Sequence, residues 1–249
     1  MLDPDERDRI AEQFGVDRDQ VLRDHLISHV LAALSTDAPD AVLFFGGTAL
    51  ARSILTEGRL SEDVDLIAVG SRSEVAEHLT TAIPRSLRRE FPGLTWSPTL
   101  TQGRDIDAAI LRSTDSLAVR IQLLSAVGYP RWPTERVALA QRYSDVPPAA
   151  LTVLTPAGFV AAKTAAWHDR AAPRDLWDLW ALTEDGHLTA EAADLFARLG
   201  PTNRRPDPMA FHQPPDEARW QRDLTAQVQL TVTAAEACET VRARWADFA

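Results

Sequence analysis

The chain has 249 residues, enough for one large domain or two smaller ones, and its 45% hydrophobic and 25% charged residues are typical of a soluble globular protein. A formal net charge of -10 argues against broad electrostatic binding to nucleic acid but leaves room for a local basic groove. The apolar runs are too short to cross a bilayer, the N-terminus is too charged for a secretory signal, and a single cysteine excludes an internal disulfide. We therefore expect a cytoplasmic protein.

The first 150 residues have the pattern of an α/β domain that begins with helices. Apolar runs bounded by glycine or turn residues predict strands, and apolar residues three or four apart predict helices. Three strand-like stretches with short spacing predict a meander. In chain order the predicted elements are helices 5–15 and 17–36, strand 41–45, helix 48–56, strand 64–70, helix 71–91 with a kink at Pro84, strands 94–102, 107–114 and 116–124, and a short strand 151–154.

Residues 151–249 are predicted to form a helical domain. Thr155 followed by Pro156 is a good helix start, and the pattern after it is helical except for a proline-rich stretch, 200–217, that we expect to be irregular. The predicted helices are 156–170, 173–185, 189–200, 216–230 and 233–248.

The stretch RLSEDVDL (59–66) places two aspartates, Asp63 and Asp65, at the start of a predicted strand. Side chains alternate along a strand, so both carboxylates project to the same face. Two carboxylates so close repel each other unless a cation joins them, and Mg²⁺ prefers oxygen ligands together with substrate phosphates. The pair therefore predicts a Mg²⁺ (or Mn²⁺) site for a nucleoside triphosphate, although a solvated turn explains most D-x-D sequences.

A Gly-Gly-Thr turn precedes this pair. Gly46 and Gly47 allow the backbone to approach a ligand, and the helix that follows presents N–H groups to phosphate. No G-x-x-x-x-G-K-[ST] sequence is present, so this is not a P-loop. Arg59 and Ser61 either contact phosphate oxygens or orient the carboxylates, and the residues alone leave both roles open.

These residues together resemble a known family. FGGTALARSILTEGRLSEDVDL is similar to the first signature of the AbiEii/AbiGii-type nucleotidyltransferases, toxins of AbiE-like toxin–antitoxin systems that include the MenT group. The resemblance implies a DNA polymerase β-like nucleotidyltransferase core with a mixed sheet. The family pattern is matched by Gly46, Gly47, Thr48, Ala49, Leu50, Arg59, Ser61, Asp63, Asp65 and Leu66. Within this pattern, Thr48 and Ser61 are predicted to bind the triphosphate together with backbone N–H groups from Gly47 onward.

Lysine usage points to a second part of the site. Lys163 is the one lysine among 26 basic residues, and lysine is retained best where a compact point charge cannot be replaced by the planar fork of arginine. KTAAWHDRAAPRDLWDL (163–179) resembles the family's second signature, which implies a catalytic role for Lys163. Arg170 lies two helical turns after Lys163, on the same face, and is predicted to bind the nucleotide with it. The resemblance also makes Asp175 the best catalytic or positioning carboxylate. An ion pair between Asp175 and Arg170 is the structural alternative, and Asp178 is interpreted as a partner of Arg174.

The third carboxylate of the wider superfamily has no clear equivalent. Gln122 occupies a plausible inward position on a later strand, and the D-x-D formed by Asp105 and Asp107 is better explained as a turn. The general base is therefore open among Asp65, another group such as Asp175, and water.

Other metal and hydrolase chemistries find little support in the sequence. The six histidines show no H-E-x-x-H motif, and we find no paired spacing for zinc; no G-x-S-x-G sequence predicts a serine hydrolase.

The family resemblance implies transfer of NMP from an NTP to an acceptor hydroxyl, most often a tRNA 3′ end, with a cognate antitoxin as partner. A nucleotidyltransferase acting on a small molecule or protein, and a catalytically silent nucleotide-binding module, are the alternatives. An acidic chain that binds tRNA must concentrate its basic residues; the candidates are Arg85, Arg88, Arg89, Arg204 and Arg205, each of which an ordinary solvated surface also explains.

Overall fold

The computed structural model describes residues 2–104 and 107–248, so Asp105 of the second D-x-D lies outside the described residues. Within these ranges the chain forms one mixed sheet and nine α-helices. The strands are β1 (Val42–Phe45), β2 (Asp63–Ala68), β3 (Thr95–Trp96), β4 (Ala109–Arg112), β5 (Ala118–Leu124), β6 (Thr134–Leu139) and β7 (Ala149–Leu154). The helices are α1 (Pro4–Phe14), α2 (Arg18–Asp37), α3 (Gly46–Ser53), α4 (Arg72–Ser86), α5 (Pro156–Arg170), α6 (Pro173–Glu184), α7 (Ala190–Leu199), α8 (Glu217–Leu224) and α9 (Ala234–Ala246).

The strand order in the sheet is β3-β4-β5-β2-β1-β7-β6. Strands β3, β4 and β5 form the expected antiparallel meander, and β1 is antiparallel to β2. Two parallel pairings, β2 with β5 and β1 with β7, join segments that are far apart in the chain. Because β2 and β1 lie at the centre, the D-x-D sequence and the Gly-Gly turn occupy the middle of the sheet.

Helix α2 is almost completely buried from Val21 to Leu34. Asp17 caps its first turn by accepting a hydrogen bond from the backbone N–H of Gln20. The apolar stripe predicts one buried face, yet Asp24, His25 and His29 are buried as well, because α1, α4 and β5 all pack against this helix.

Helix α4 contains Pro84 within its last turn and ends at Ser86, so the helix stops soon after the proline and before the predicted end at 91. Strand β6 was not expected. Its first three residues are exposed, and it lies at the end of the strand order, so it lacks the apolar alternation by which a half-buried strand is recognised.

The chain divides into two compact units. The first comprises residues 1–129 and 135–153 and contains most of the sheet; the second comprises 130–134 and 154–249 and contains α5 to α9. A short 3₁₀ helix, Pro208–Phe211, lies within the proline-rich stretch of the second unit. Among the described helices, none combines the length and the apolar character that a bilayer crossing requires.

Candidate active site

The Gly-Gly turn joins β1 directly to α3, which begins at Gly46, two residues before the predicted helix start. Gly46 has a φ of 79°, in the left-handed region that favours glycine, and a Cβ atom there would collide with the Asp65 carboxylate. A Cβ atom on Gly47 would lie 2.7 Å from Nη2 of Arg59 and 3.3 Å from Oγ of Ser61. Gly46 is therefore required by its backbone conformation and by the close approach of Asp65, whereas a side chain at Gly47 would require the end of the Arg59 side chain to shift.

The two aspartates stand on one face of β2. Val64 and Leu66, on the opposite face, are fully buried, whereas Asp63 and Asp65 are only half-buried. The pairing of Phe45 with Asp65 brings the end of β1 beside the second aspartate. Chain geometry thus leaves both carboxylates accessible at the turn that the glycines form.

Two neighbouring side chains influence these carboxylates, and sequence reasoning missed both. Nε of Arg120 lies 3.5 Å from Oδ1 of Asp63, and Arg120 is paired with Asp63 across the parallel strands β2 and β5. Burial, together with the charge of Asp65, raises the pKa of Tyr129 to about 12, so this phenol stays protonated at neutral pH. Nothing local in the sequence links either residue to the aspartates, because both contacts come from the tertiary fold.

Three predicted nucleotide-binding residues are buried around the turn. Thr48 is fully buried, and its hydroxyl donates a hydrogen bond to the backbone carbonyl of Asp63. Arg59 and Ser61 are also buried, beside Gly47. Thr48 therefore holds the start of β2 against α3, while Arg59 and Ser61 flank the backbone of the Gly-Gly turn.

An amide side chain lies beside the aspartate pair on the neighbouring strand. Gln122 on β5 pairs in register with Asp65 on the neighbouring strand, so the two side chains project to the same face. An amide oxygen is a weaker metal ligand than a carboxylate.

In the second unit, Lys163 lies between two carboxylates of α6. Its ammonium nitrogen is 2.7 Å from Oδ2 of Asp178 and 3.2 Å from Oδ1 of Asp175. All three residues are buried. The interpretation of Asp178 as a partner of Arg174 is therefore wrong: Asp178 binds the lysine, and its spacing of three residues from Asp175 on one helix was the signal for a shared face.

Arg170 completes this cluster through a bidentate contact with Asp175, with Nε to Oδ2 at 2.7 Å and Nη2 to Oδ1 at 2.9 Å. Burial alone would raise the pKa of Asp175, but Lys163 and Arg170 outweigh it and hold that pKa below its ordinary value. The Asp175 carboxylate is fully buried and accepts from both cations, so the structural alternative raised from the sequence, an ion pair with Arg170, is present.

The first unit has the donor set that a hard divalent cation requires. Asp63 and Asp65 offer carboxylate oxygens on one accessible face, and the absence of a side chain at Gly46 lets the turn approach the Asp65 carboxylate closely. Mg²⁺ commonly binds through one or two carboxylates and completes its shell with water and substrate phosphates. The residues present therefore fit a magnesium ion that arrives with a nucleotide.

Comparison with solved structures defines the class of fold. MenT4, a nucleotidyltransferase toxin from Mycobacterium tuberculosis H37Rv, is 22% identical, with a TM-score of 0.70 over 97% of this chain and 89% of that chain. A protein from H. pylori named as a candidate nucleotidyltransferase is 16% identical, with a TM-score of 0.54 over 94% of this chain and 96% of that one. The chain therefore has the α/β fold of the polymerase β-like nucleotidyltransferases, as predicted.

A comparison of the sequence with models of known protein families identifies the family. A family model described as the nucleotidyl transferase AbiEii toxin of type IV toxin–antitoxin systems matches residues 29–249. The chain belongs to this family and is a nucleotidyltransferase, which confirms the resemblance seen in the two signatures. Among curated proteins, none matches the chain by sequence.

Proposed function

We propose that this protein transfers a nucleoside monophosphate from an NTP to the 3′-terminal hydroxyl of tRNA, in the cytoplasm, and that a cognate antitoxin restrains it. The oxygen of the acceptor hydroxyl forms a bond to the α-phosphorus, the bond from that phosphorus to the bridging oxygen of the β-phosphate breaks, and pyrophosphate leaves with the electron pair. The observation that carries the proposal is the close approach of the Gly46-Gly47 turn to the Asp65 carboxylate, Arg59 and Ser61.

Asp63 and Asp65 would hold Mg²⁺ or Mn²⁺, which when bound neutralises phosphate charge and lowers the pKa of an attacking hydroxyl. The backbone N–H groups that open α3 bind phosphate oxygens in this proposal, since the first turn of a helix presents N–H groups without partners inside the helix and Phe45 does not cap them with its side chain. The Arg59 guanidinium beside Gly47 supplies positive charge at the same turn. Thr48 contributes by fixing β2 through its bond to the Asp63 carbonyl.

In the second unit, Lys163 supplies an ammonium group that offsets the charge developing on the leaving phosphates. Asp175 and Asp178 hold the lysine side chain in one position, and Asp175 also holds Arg170. We assign Asp175 a positioning role because its carboxylate is buried and accepts from both cations. The proton of the acceptor hydroxyl then passes to Asp65 or to water.

The choice of tRNA as the acceptor rests on the resemblance carried by the two sequence signatures, and the comparisons support the coarser class of a nucleotidyltransferase toxin. The family description names a type IV toxin–antitoxin system, and MenT4 is named as a nucleotidyltransferase toxin. Addition of nucleotides to a tRNA 3′ end would block aminoacylation and therefore translation.

The test is incubation of the protein with Mg²⁺, total tRNA and each α-labelled NTP in turn. We expect label on the RNA, and we expect Asp63→Asn and Asp65→Asn each to reduce labelling at least about 1,000-fold, because one carboxylate cannot hold the metal–triphosphate. Asp40→Asn is the matched control, since Asp40 is 92% exposed and contacts Arg136.

Two other results would point to the alternatives. Label on proteins or small molecules of a cell extract, with none on tRNA, would replace the acceptor and keep the enzyme class. Absence of labelling in every case, combined with absence of Mg²⁺–NTP binding by calorimetry, would contradict the proposed reaction.

A further inference from the structure

His25, His29 and Asp145 form a cluster in the first unit that shares no residue with the aspartate pair of β2. Both histidines lie on α2 and are 5% exposed, and Asp145 follows β6 and is partly buried. One ligand atom from each side chain lies within 4.8 Å of the other two. The expectation that the histidines show no paired spacing was wrong at this point: His25 and His29 are four residues apart and share a helix face.

His29 and Asp145 both lie within hydrogen-bonding distance of the same nitrogen atom of His25. Nε2 of His25 lies 3.3 Å from Nε2 of His29, and 3.0 Å and 3.2 Å from Oδ1 and Oδ2 of Asp145. If His25 carries a proton on Nε2, it can direct that proton well toward only one of these neighbours. The other neighbour then faces His25 with a lone pair and receives no proton from it. A cation between the three atoms would accept an electron pair from each.

The distances have the size that a zinc ion requires. With Nε2 of His29 at 3.9 Å from Oδ2 of Asp145, the circle through the three atoms has its centre about 2.0 Å from each of them. An ion displaced slightly from that plane would lie about 2.1 Å from each, which agrees with Zn–N and Zn–O bond lengths. Two imidazole nitrogens favour Zn²⁺ over Mg²⁺, which prefers an all-oxygen shell.

The surroundings suit a bound metal with one open position. The ring of Phe91 packs against both imidazoles, with ring centroids 5.7 Å from His25 and 5.4 Å from His29. His25 and Asp145 also line a cavity of about 560 Å³, so the fourth coordination position can be reached from that space. Glu90 lines the same cavity and supplies further negative charge.

We propose that His25, His29 and Asp145 form a zinc site that links α2 to the segment after β6, with a water molecule as the fourth ligand on the cavity side. The three side chains come from segments about 120 residues apart, as the His25–Asp145 contact shows. Zinc binding would therefore tie α2 to a segment close to the C-terminal end of the first unit.

The first experiment uses the full chain and needs no change to the cluster. We expect the wild-type protein, freed of metal with a chelator at pH 7.5, to take up one Zn²⁺ per chain with micromolar or tighter affinity. Asp63→Asn/Asp65→Asn should bind zinc equally well, because the other carboxylate pair is not involved. X-ray absorption at the zinc edge should show imidazole ligation. An all-oxygen shell, or loss of uptake in the double variant, would overturn the proposal.

The second experiment replaces the ligands. His25→Gln, His29→Gln and Asp145→Asn should each weaken zinc binding at least about 100-fold, since removal of one of three ligands leaves too few donors to hold the ion. His212→Gln, a substitution of an exposed histidine of the second unit, should leave affinity unchanged. Circular dichroism of the metal-free proteins checks that each variant is folded. Unchanged affinity in folded His29→Gln would contradict the site.

Discussion

At the level of single residues, Gly46 shows how tightly the candidate site is built. An L-residue in this positive-φ conformation would lower the free energy of unfolding by about 1 kcal/mol or more, which by itself would leave the protein folded. Gly46 differs from the other glycines with positive φ because a Cβ atom on it would overlap the Asp65 carboxylate. Substitution therefore affects the metal-binding group as well as the backbone.

We expect Gly46→Ala to reduce nucleotidyl transfer at least about 100-fold, because the methyl group displaces a carboxylate that electrostatic stabilisation of the reaction requires. Gly186→Ala is the matched control: Gly186 has a φ of 76°, and a methyl group there would meet nothing within 4 Å. Gly186→Ala should lose about 1 kcal/mol in urea unfolding, and Gly46→Ala should lose more because its methyl group must also displace Asp65. Equal activity in the two variants would show that contact with Asp65 is unimportant.

At Lys163, replacement by arginine tests whether the site requires a lysine or only a positive charge. Its ammonium group fits between Asp175 and Asp178 as a point charge, whereas the longer, planar guanidinium of arginine requires a different arrangement of acceptors. We expect Lys163→Arg to lower the rate of NMP transfer about 100-fold while retaining most of the stability of the helical unit. The measurement is kcat at saturating NTP, with thermal unfolding as the folding control. Full activity in Lys163→Arg would show that arginine can replace this lysine, contrary to the prediction from the single lysine in the sequence.

At the level of elements, the α5–α6 connection positions the cluster around Asp175. Ala171 adopts a left-handed conformation with a φ of 44° and ends α5, and Pro173 starts α6 two residues later. This sharp turn brings Arg170, at the end of one helix, against Asp175 in the first turn of the next. The local sequence thus determines the ion pair, while packing of α5 on α6 places Lys163 beside it.

The lowered pKa of Asp175 leads to a prediction about stability and pH. A carboxyl group whose pKa is lower in the folded state contributes its full stabilisation at pH values above its pKa in the unfolded chain, here about 3.8. This contribution disappears as the pH falls through the pKa of the folded state. Asp175→Asn should therefore cost about 3 kcal/mol at pH 7, because it breaks a buried charge pair. The difference in the free energy of unfolding between wild type and variant should shrink toward pH 3.

Urea unfolding of both proteins from pH 7 to pH 3 measures this difference. Asp185→Asn, a change at the exposed end of the same helix, serves as the control and should leave the pH dependence of the wild type intact. A difference that stays constant over the whole range would mean that the ionised form of Asp175 is not what stabilises the fold.

At the level of the whole molecule, the net charge of -10 limits how RNA can bind. Contacts with RNA phosphates must therefore come from a few basic residues that lie close together on the surface. Arg85, Arg88 and Arg89 are exposed around the end of α4, whereas Arg205 already binds Asp194 and the carbonyl of Phe248. Arg85 also lies 3.8 Å from a carboxylate oxygen of Asp37, a longer contact than the one between Arg205 and Asp194. The first cluster is therefore the better candidate for contacts with phosphate.

Salt dependence of tRNA binding tests this assignment. Three phosphate contacts predict a slope of about -2 in a plot of log K against log salt concentration. Arg85→Gln/Arg88→Gln/Arg89→Gln should reduce the magnitude of that slope and weaken binding uniformly across tRNAs, while Arg204→Gln/Arg205→Gln should change neither. Unaltered binding by the triple variant would exclude this surface as the RNA contact.

Much of the fold was predictable, because the helices, the central strands and the β3–β5 meander follow from local periodicity and turn residues. Strand β6 was missed since its exposed, charged start gives no apolar alternation. In the candidate site, the glycines, the aspartates and the lysine were predicted from their types, their spacing and the family resemblance. Arg120, Tyr129 and the role of Asp178 were not, because each depends on a partner brought near by folding.

The sequence by itself determined the two signatures, the family and the face of β2 on which Asp63 and Asp65 lie, since alternation along a strand is a local property. Only the tertiary structure decided that β5 pairs with β2 and that Asp145 meets His25 and His29. Such contacts depend on how distant segments pack to bury their apolar faces, and no periodicity within either segment records its eventual neighbour.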